Sequence, residues 1–313
     1  MRWLLCGTAL AACGLGHDGR SLLARRPAPG PVAHWVADRD GHRLVGLDAD
    51  LYVARRVELR WPCRIAPGPG GVWVCASLEG RPGGAYRVLH LGPHGVDVEA
   101  LVDDVRALAR DRDGTALVLA SGPEGARLLR LDAAGPRVLD VLSPGATTLG
   151  LGGGRALVGF RSGALLGLVP GGDGVGPADR SVITGHVDGA VRDVVPGPRG
   201  GWWVLADGAV LHRLDARLVP LGRLALPFEH ARLARGAGSS GIWVVDGGGG
   251  RAARVEADGR GWTVDDLPLA GFEAARSLPG GGCLAGGGGA VLRLASDGRV
   301  VAGQGGLTFV AGL

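Results

Sequence analysis

A short pattern recurs seven times along the chain: a Gly-rich turn, an apolar doublet, another turn, then a further apolar strand. The doublets are Trp35-Val36, Trp73-Val74, Leu117-Val118, Leu157-Val158, Trp203-Val204, Trp243-Val244 and Leu284-Ala285, spaced by 38, 44, 40, 46, 40 and 41 residues. A period of roughly 40–45 residues matches one four-stranded propeller blade. Seven such units nearly exhaust the 313 residues. Beyond residue 30 only 98–110 carries a helical period, and that stretch reads equally as two strands around Asp103-Asp104. The expectation is an all-β chain, a seven-bladed β-propeller of four-stranded blades over residues 32–313.

The units align strand by strand. The second strand reads GGVWVCAS at 70–77, GTALVLAS at 114–121, GGWWVLAD at 200–207 and SGIWVVDG at 240–247. The third reads VGLDAD at 45–50, LLRLDAAG at 128–135, LHRLDARL at 211–218 and LRLASDG at 292–298. Asp48, Asp132 and Asp215 start turns, where a carboxylate accepts backbone N–H groups. The fourth unit carries a polar insertion at 169–181. The last apolar run, LTFVAGL at 307–313, is placed to pair with residues 34–38 as an innermost strand and so remove an open sheet edge. Residues 24–29 compete for that place.

The motif G-G-φ-W-V followed by φ-x-R-L-D-x-x-G (φ, any apolar residue) resembles the NHL-repeat and streptogramin-lyase-like propellers. Gluconolactonase and regucalcin propellers are more distant. The resemblance covers residues 33–313 and implies a fold more than a chemistry. WD-repeat signatures and sialidase Asp boxes are absent from the sequence.

Composition narrows the partners. There are 60 Gly, no Lys and no Asn, so all 34 basic residues are Arg. The missing residues have AT-rich codons, which points to a bacterium with a GC-rich genome. Arginine abundance alone is therefore weak support for phosphate binding. The formal net charge is +4 and is spread along the chain. No basic stripe is interleaved with aromatics, which argues against nucleic acid.

Residues 3–16 carry no charge and follow Arg2. They are too few to span a bilayer as a helix but fit a short secretory signal. Leu10-Ala11-Ala12-Cys13 resembles a bacterial lipobox, with Cys13 as the lipidated residue. This gives a signal and lipobox over 1–13, a Gly/Pro/Arg tether over 14–31, and an exported lipoprotein, periplasmic or anchored to the outer membrane. The alternative is an unprocessed start. Two acyl chains suffice for stable anchoring.

Cys63 and Cys75 are equidistant from Pro69 in a predicted hairpin. That register sets them face to face, as a cross-strand disulfide or as two buried thiols. There is no C-x-x-C and no His-Cys cluster, so neither a metal nor another cofactor is expected.

One feature carries possible chemistry. Near the start of five predicted innermost strands stands an arginine: Arg64, Arg106, Arg192, Arg232 and Arg276; the fourth unit has Thr147. Five guanidiniums around a narrow channel need compensation, since each like-charged pair at about 8 Å costs roughly 2 kcal/mol at an effective dielectric of 20. Neighbouring acids would give a structural girdle. A bound small anion would instead make the ring a ligand site, which the Arg fork suits. Either way the expected role is a monomeric binding module for a protein or a small anionic ligand. The resemblance supplies an alternative. Streptogramin lyases use a His base with a metal and acids, roles that would fall to His230, Glu229, Glu273 and His186. Gluconolactonase-type sites use an Asn, which this chain lacks.

Overall fold

The computed structural model describes residues 28–313 except 69, 123, 170–181, 208, 237–240 and 270. The signal, Cys13, most of the tether and nearly all of the fourth unit's insertion lie outside the described residues. Twenty-eight strands form seven antiparallel four-stranded sheets. The first blade holds β1 (His34–Asp38), β2 (Arg43–Leu47) and β3 (Val53–Glu58). The second holds β4 (Pro62–Gly68), β5 (Gly71–Ser77), β6 (Ala85–Leu91) and β7 (Val96–Asp103). The third holds β8 (Val105–Arg110), β9 (Ala116–Gly122), β10 (Gly125–Asp132) and β11 (Gly135–Leu142). The fourth holds β12 (Ala146–Gly152), β13 (Arg155–Phe160), β14 (Ala164–Leu168) and β15 (Val182–His186). The fifth holds β16 (Val191–Pro196), β17 (Trp202–Ala206), β18 (Val210–Leu214) and β19 (Pro220–Ala225). The sixth holds β20 (Ala231–Leu233), β21 (Gly241–Asp246), β22 (Ala252–Glu256) and β23 (Gly261–Val264). The seventh holds β24 (Ala274–Ser277), β25 (Cys283–Gly287), β26 (Ala290–Leu294) and β27 (Val300–Gln304), after which β28 (Val310–Gly312) joins the first blade. The ambiguous 98–110 stretch is two strands, β7 and β8, with Asp104 at φ 39° between them.

The doublets lie on the second strand of each blade and mark burial on both sheet faces. Trp73 packs toward the third blade with Cys75 and Val88, against Val105, Leu108 and Val118. Leu117 turns the other way and packs against Leu149 and Val158 of the fourth. A strand covered on both faces reads as consecutive apolar residues rather than as an alternation. Two of the tryptophans also tie blades together: Trp73 Nε1 donates to the Gly114 carbonyl and Trp243 Nε1 to the Gly281 carbonyl, each at 2.8 Å. The turn aspartates act as expected. Asp48 accepts the N–H groups of Asp50 and Tyr52, Asp132 that of Ala134, and Asp215 those of Arg217 and Val219.

Ring closure uses the last segment. β28 pairs antiparallel with β1, Ala37 opposite Gly312 and Asp38 opposite Val310. Asp38 is fully buried and accepts the N–H groups of Thr308 and Phe309, both at 2.9 Å, and Arg43 Nε at 2.8 Å. Arg39 lies over the Phe309 ring, 4.1 Å from its centroid. The innermost strands then touch in sequence around the circle, β4 to β8, β12, β16, β20, β24, β28 and back to β4. Among the described residues no helix is long and apolar enough to cross a membrane.

Candidate functional site

The innermost strands start at one mouth of the channel, the upper mouth, and run downward. Four of them bulge near their upper end, at Cys63, Arg106, Thr147 and Arg192. A bulge adds one residue and shifts everything after it. The five arginines expected at one level stand at three. Arg106 and Arg192 occupy the bulges. Arg64 and Arg232 lie one step lower, opposite Cys75 and Val245. Arg276 lies lower still, opposite Leu284.

The upper arginines form the structural girdle. Arg106 Nη2 meets Asp104 at 2.5 Å, and its Nε donates to Ser121 Oγ at 2.9 Å. Arg192 Nε meets Asp207 at 2.5 Å, and Arg232 Nη2 meets Glu273 at 2.9 Å. All three side chains are exposed. At Thr147 the hydroxyl lies 3.0 Å from the Gly159 carbonyl and 2.7 Å from that of Val191.

The other two arginines differ. The Nε of Arg64 is buried and has no hydrogen-bond partner among the described residues. No described carboxylate pairs with Arg276, and burial pulls its guanidinium pKa below the usual value. Two further residues reach the channel from outside the repeat position of the five arginines. Arg235 reaches across the channel to the Leu108 carbonyl at 3.2 Å and stands 3.9 Å from Asp193. Burial raises the Asp193 pKa, opposed by Arg235 and by the N–H of Val194. Arg235 is the second arginine of ARLARG, and Asp193 directly follows Arg192.

An upper chamber of about 120 Å³ gathers Cys63, Arg64, Asp193, Arg232, Arg235 and Glu273. Arg232 pairs there with Glu273 and Arg235 stands 3.9 Å from Asp193, while Arg64 pairs with no described carboxylate. A wider recess at the mouth of the fifth and sixth blades brings Glu229 and His230 together with Glu273 and Arg232. His186 is not part of it; it ends β15 on the rim of the fourth blade, opposite Ala164. No cluster of three or more His, Cys, Asp or Glu suited to a metal exists among the described residues.

The expected facing of Cys63 and Cys75 is corrected by the bulge. Arg64, not Cys63, stands opposite Cys75. Both thiols are free, and Cys63 Sγ donates to the Cys75 carbonyl at 3.3 Å. Burial raises the pKa of Cys63 and lifts that of Cys75 well above the usual thiol value.

No protein-family model matches the chain, and no curated protein matches it. Solved structures do. A streptogramin B lyase aligns at 14% identity over 76% of this chain and 81% of its own, with a TM-score of 0.60. Virginiamycin B lyase from Staphylococcus aureus aligns at 11% identity over 86% and 89%, with a TM-score of 0.60. A functionally unknown protein from Desulfotomaculum acetoxidans aligns at 12% identity over 89% and 96%, with a TM-score of 0.65. Identities this low speak to the fold alone. In fold, the chain is a seven-bladed β-propeller similar to the streptogramin lyases.

Proposed function

We propose that this chain is an exported, lipid-anchored binding propeller that holds a small oxyanion in the upper chamber of its channel. The observation that carries the reading is Arg64, which lines the chamber beside Arg232 and Arg235 and whose side chain makes no hydrogen bond or ion pair with any described residue. An anion in the chamber would accept from the guanidinium of Arg64, which an oxyanion suits as a charge-assisted partner. Glu273 and Asp193 hold Arg232 and Arg235 in place and leave further N–H groups of both for the same ligand. The chamber volume of about 120 Å³ suits an ion the size of sulfate or phosphate. Calorimetric titration with sulfate tests this. Arg64→Gln should weaken binding at least tenfold, and equal affinity in wild type and variant would refute it.

Export and anchoring rest on Arg2, the uncharged run at 3–16 and the Leu10-Ala11-Ala12-Cys13 box. Labelling with a radioactive fatty acid in a bacterial host should mark the wild type and not Cys13→Ala.

The recess holding Glu229, His230 and Glu273 supports a second reading, a lyase or lactonase with His230 as base. Glu273 is already engaged by Arg232, and His186 stands apart. Ring-opening of a streptogramin B or a simple lactone, lost in His230→Ala, would establish that reading over the first.

A further inference from the structure

Below Arg64 the channel changes character. The second to fifth blades line it with Ile65, Leu108, Leu149 and Val194, and the sixth and seventh with Arg235 and Arg276, around a cavity of about 180 Å³. The two arginines are neighbours across the blade boundary. Their residues form a parallel bridge, Arg235 N–H donating to the Ala275 carbonyl at 3.0 Å and Ser277 N–H to the Arg235 carbonyl at 2.7 Å. Arg110 also lines this chamber and donates to the Gly71 carbonyl at 3.2 Å. Among the described residues Asp193 is the one carboxylate within ion-pair distance of either arginine, 3.9 Å from Arg235, and Leu313, the last residue of the sequence, lines the same cavity.

Four apolar walls thus face three arginines, of which Arg235 stands 3.9 Å from Asp193 and Arg276 pairs with no described carboxylate. An inorganic anion would satisfy the arginines and leave the apolar walls against solvent. An uncharged apolar molecule would do the reverse, stripping water from the guanidiniums with nothing in return. A molecule with both faces satisfies both sides. At roughly 10–15 Å³ per water the cavity holds on the order of a dozen waters, the space of about ten non-hydrogen atoms.

We propose that this lower chamber is a second binding site, selective for a small carboxylate with a compact apolar body, such as an aromatic or branched-chain acid. The carboxylate sits on Arg276 and Arg235, and the body lies against Leu108, Leu149 and Val194. The site differs from the upper chamber in place and in chemistry, although Ile65, Arg235 and Leu313 border both.

Benzoate is the probe, with acetate and benzyl alcohol as the two half-molecules. By calorimetry, wild-type protein should bind benzoate at least tenfold more tightly than either. Arg276→Gln should lose at least tenfold for benzoate, while Arg260→Gln, an exposed arginine paired with Asp258, should lose nothing. Intermolecular NOEs in wild type, from the benzoate ring to methyls of Leu149 and Val194, keep the proposal testable if Arg276→Gln does not fold. Equal binding of acetate and benzoate, benzoate affinity unchanged in Arg276→Gln, or NOEs only to outer-strand methyls would each overturn it. Sulfate titrated into the same protein reads the upper chamber separately. Benzoate binding without a sulfate response fails the first site and keeps this one; the reverse result fails this one alone.

Discussion

The backbones of Arg235 and Arg276 meet in a parallel bridge that ties the innermost strand of the sixth blade to that of the seventh. Elsewhere the boundaries between described blades rest on packed side chains and on side-chain bonds to carbonyls such as that of Trp73. Here backbone hydrogen bonds set two guanidiniums side by side in the channel. With Asp193 near Arg235 alone and no described carboxylate paired with Arg276, they make the lower chamber a place where stability and binding compete.

Arg276→Leu should therefore stabilise the free protein, by about 1–2 kcal/mol and most at low salt, because it removes a desolvated cation without orphaning an acid. Arg192→Ala removes only one side of an exposed pair and should change stability by less than about 1 kcal/mol. Urea unfolding of both variants at two salt concentrations reads the contrast. A destabilised Arg276→Leu would mean that the arginine is already satisfied.

Asp38 latches the ring. It is buried and holds two backbone N–H groups of the closing segment together with Arg43. Asp38→Ala leaves all three donors unmet and should cost about 3–5 kcal/mol. Asp38→Asn keeps one acceptor oxygen and should cost less. Limited proteolysis should clip the C-terminal segment of Asp38→Ala first.

His34 reports on the lower mouth. Burial, then Arg276 and Arg293, hold its pKa below the usual 6.5. Removing a neighbouring cation makes protonation easier, so Arg276→Gln should raise the His34 pKa, and bound benzoate should raise it in wild type. Imidazole shifts followed by NMR over a pH series check both. A His34 pKa insensitive to both changes would remove Arg276 from its surroundings.

The buried thiol of Cys283 sets an alkaline limit. Burial raises its pKa from 9.0 to about 12. A raised folded pKa leaves stability intact below about pH 9. Above that, the unfolded chain ionises first, and stability falls by about 1.4 kcal/mol per pH unit until the folded thiol ionises too. Cys75 acts in the same direction. Unfolding free energies between pH 8 and 11 should fall less steeply in Cys283→Ala than in wild type.

The fold was legible because its signal is burial on both faces of one strand per blade. Trp73-Val74 and Trp243-Val244 could only be consecutive apolar residues if neighbouring sheets covered both sides. The closing role of 307–313 was legible for a similar reason, as an apolar run with no other sheet to join. The ring of arginines was misread because a bulge leaves no mark in the sequence. The extra residue at Cys63 turns Arg64 to face Cys75, whereas the pairing of β24 sets Arg276 opposite Leu284, two steps deeper than Arg64. Arg235 escaped for a different reason. Spaced three residues from Arg232, it belongs on the other face of a regular strand, but β20 ends at Leu233 and the chain crosses to bond with the seventh blade.

Whether the channel holds an anion on unpaired arginines is decided by locating one there. Crystals grown in bromide and measured at the bromine absorption edge would show each bound ion. An anomalous peak should lie within hydrogen-bond reach of the Arg64 guanidinium and be gone in Arg64→Gln. Peaks confined to the exposed arginines of the outer rim, with an empty channel, would refute the anion site.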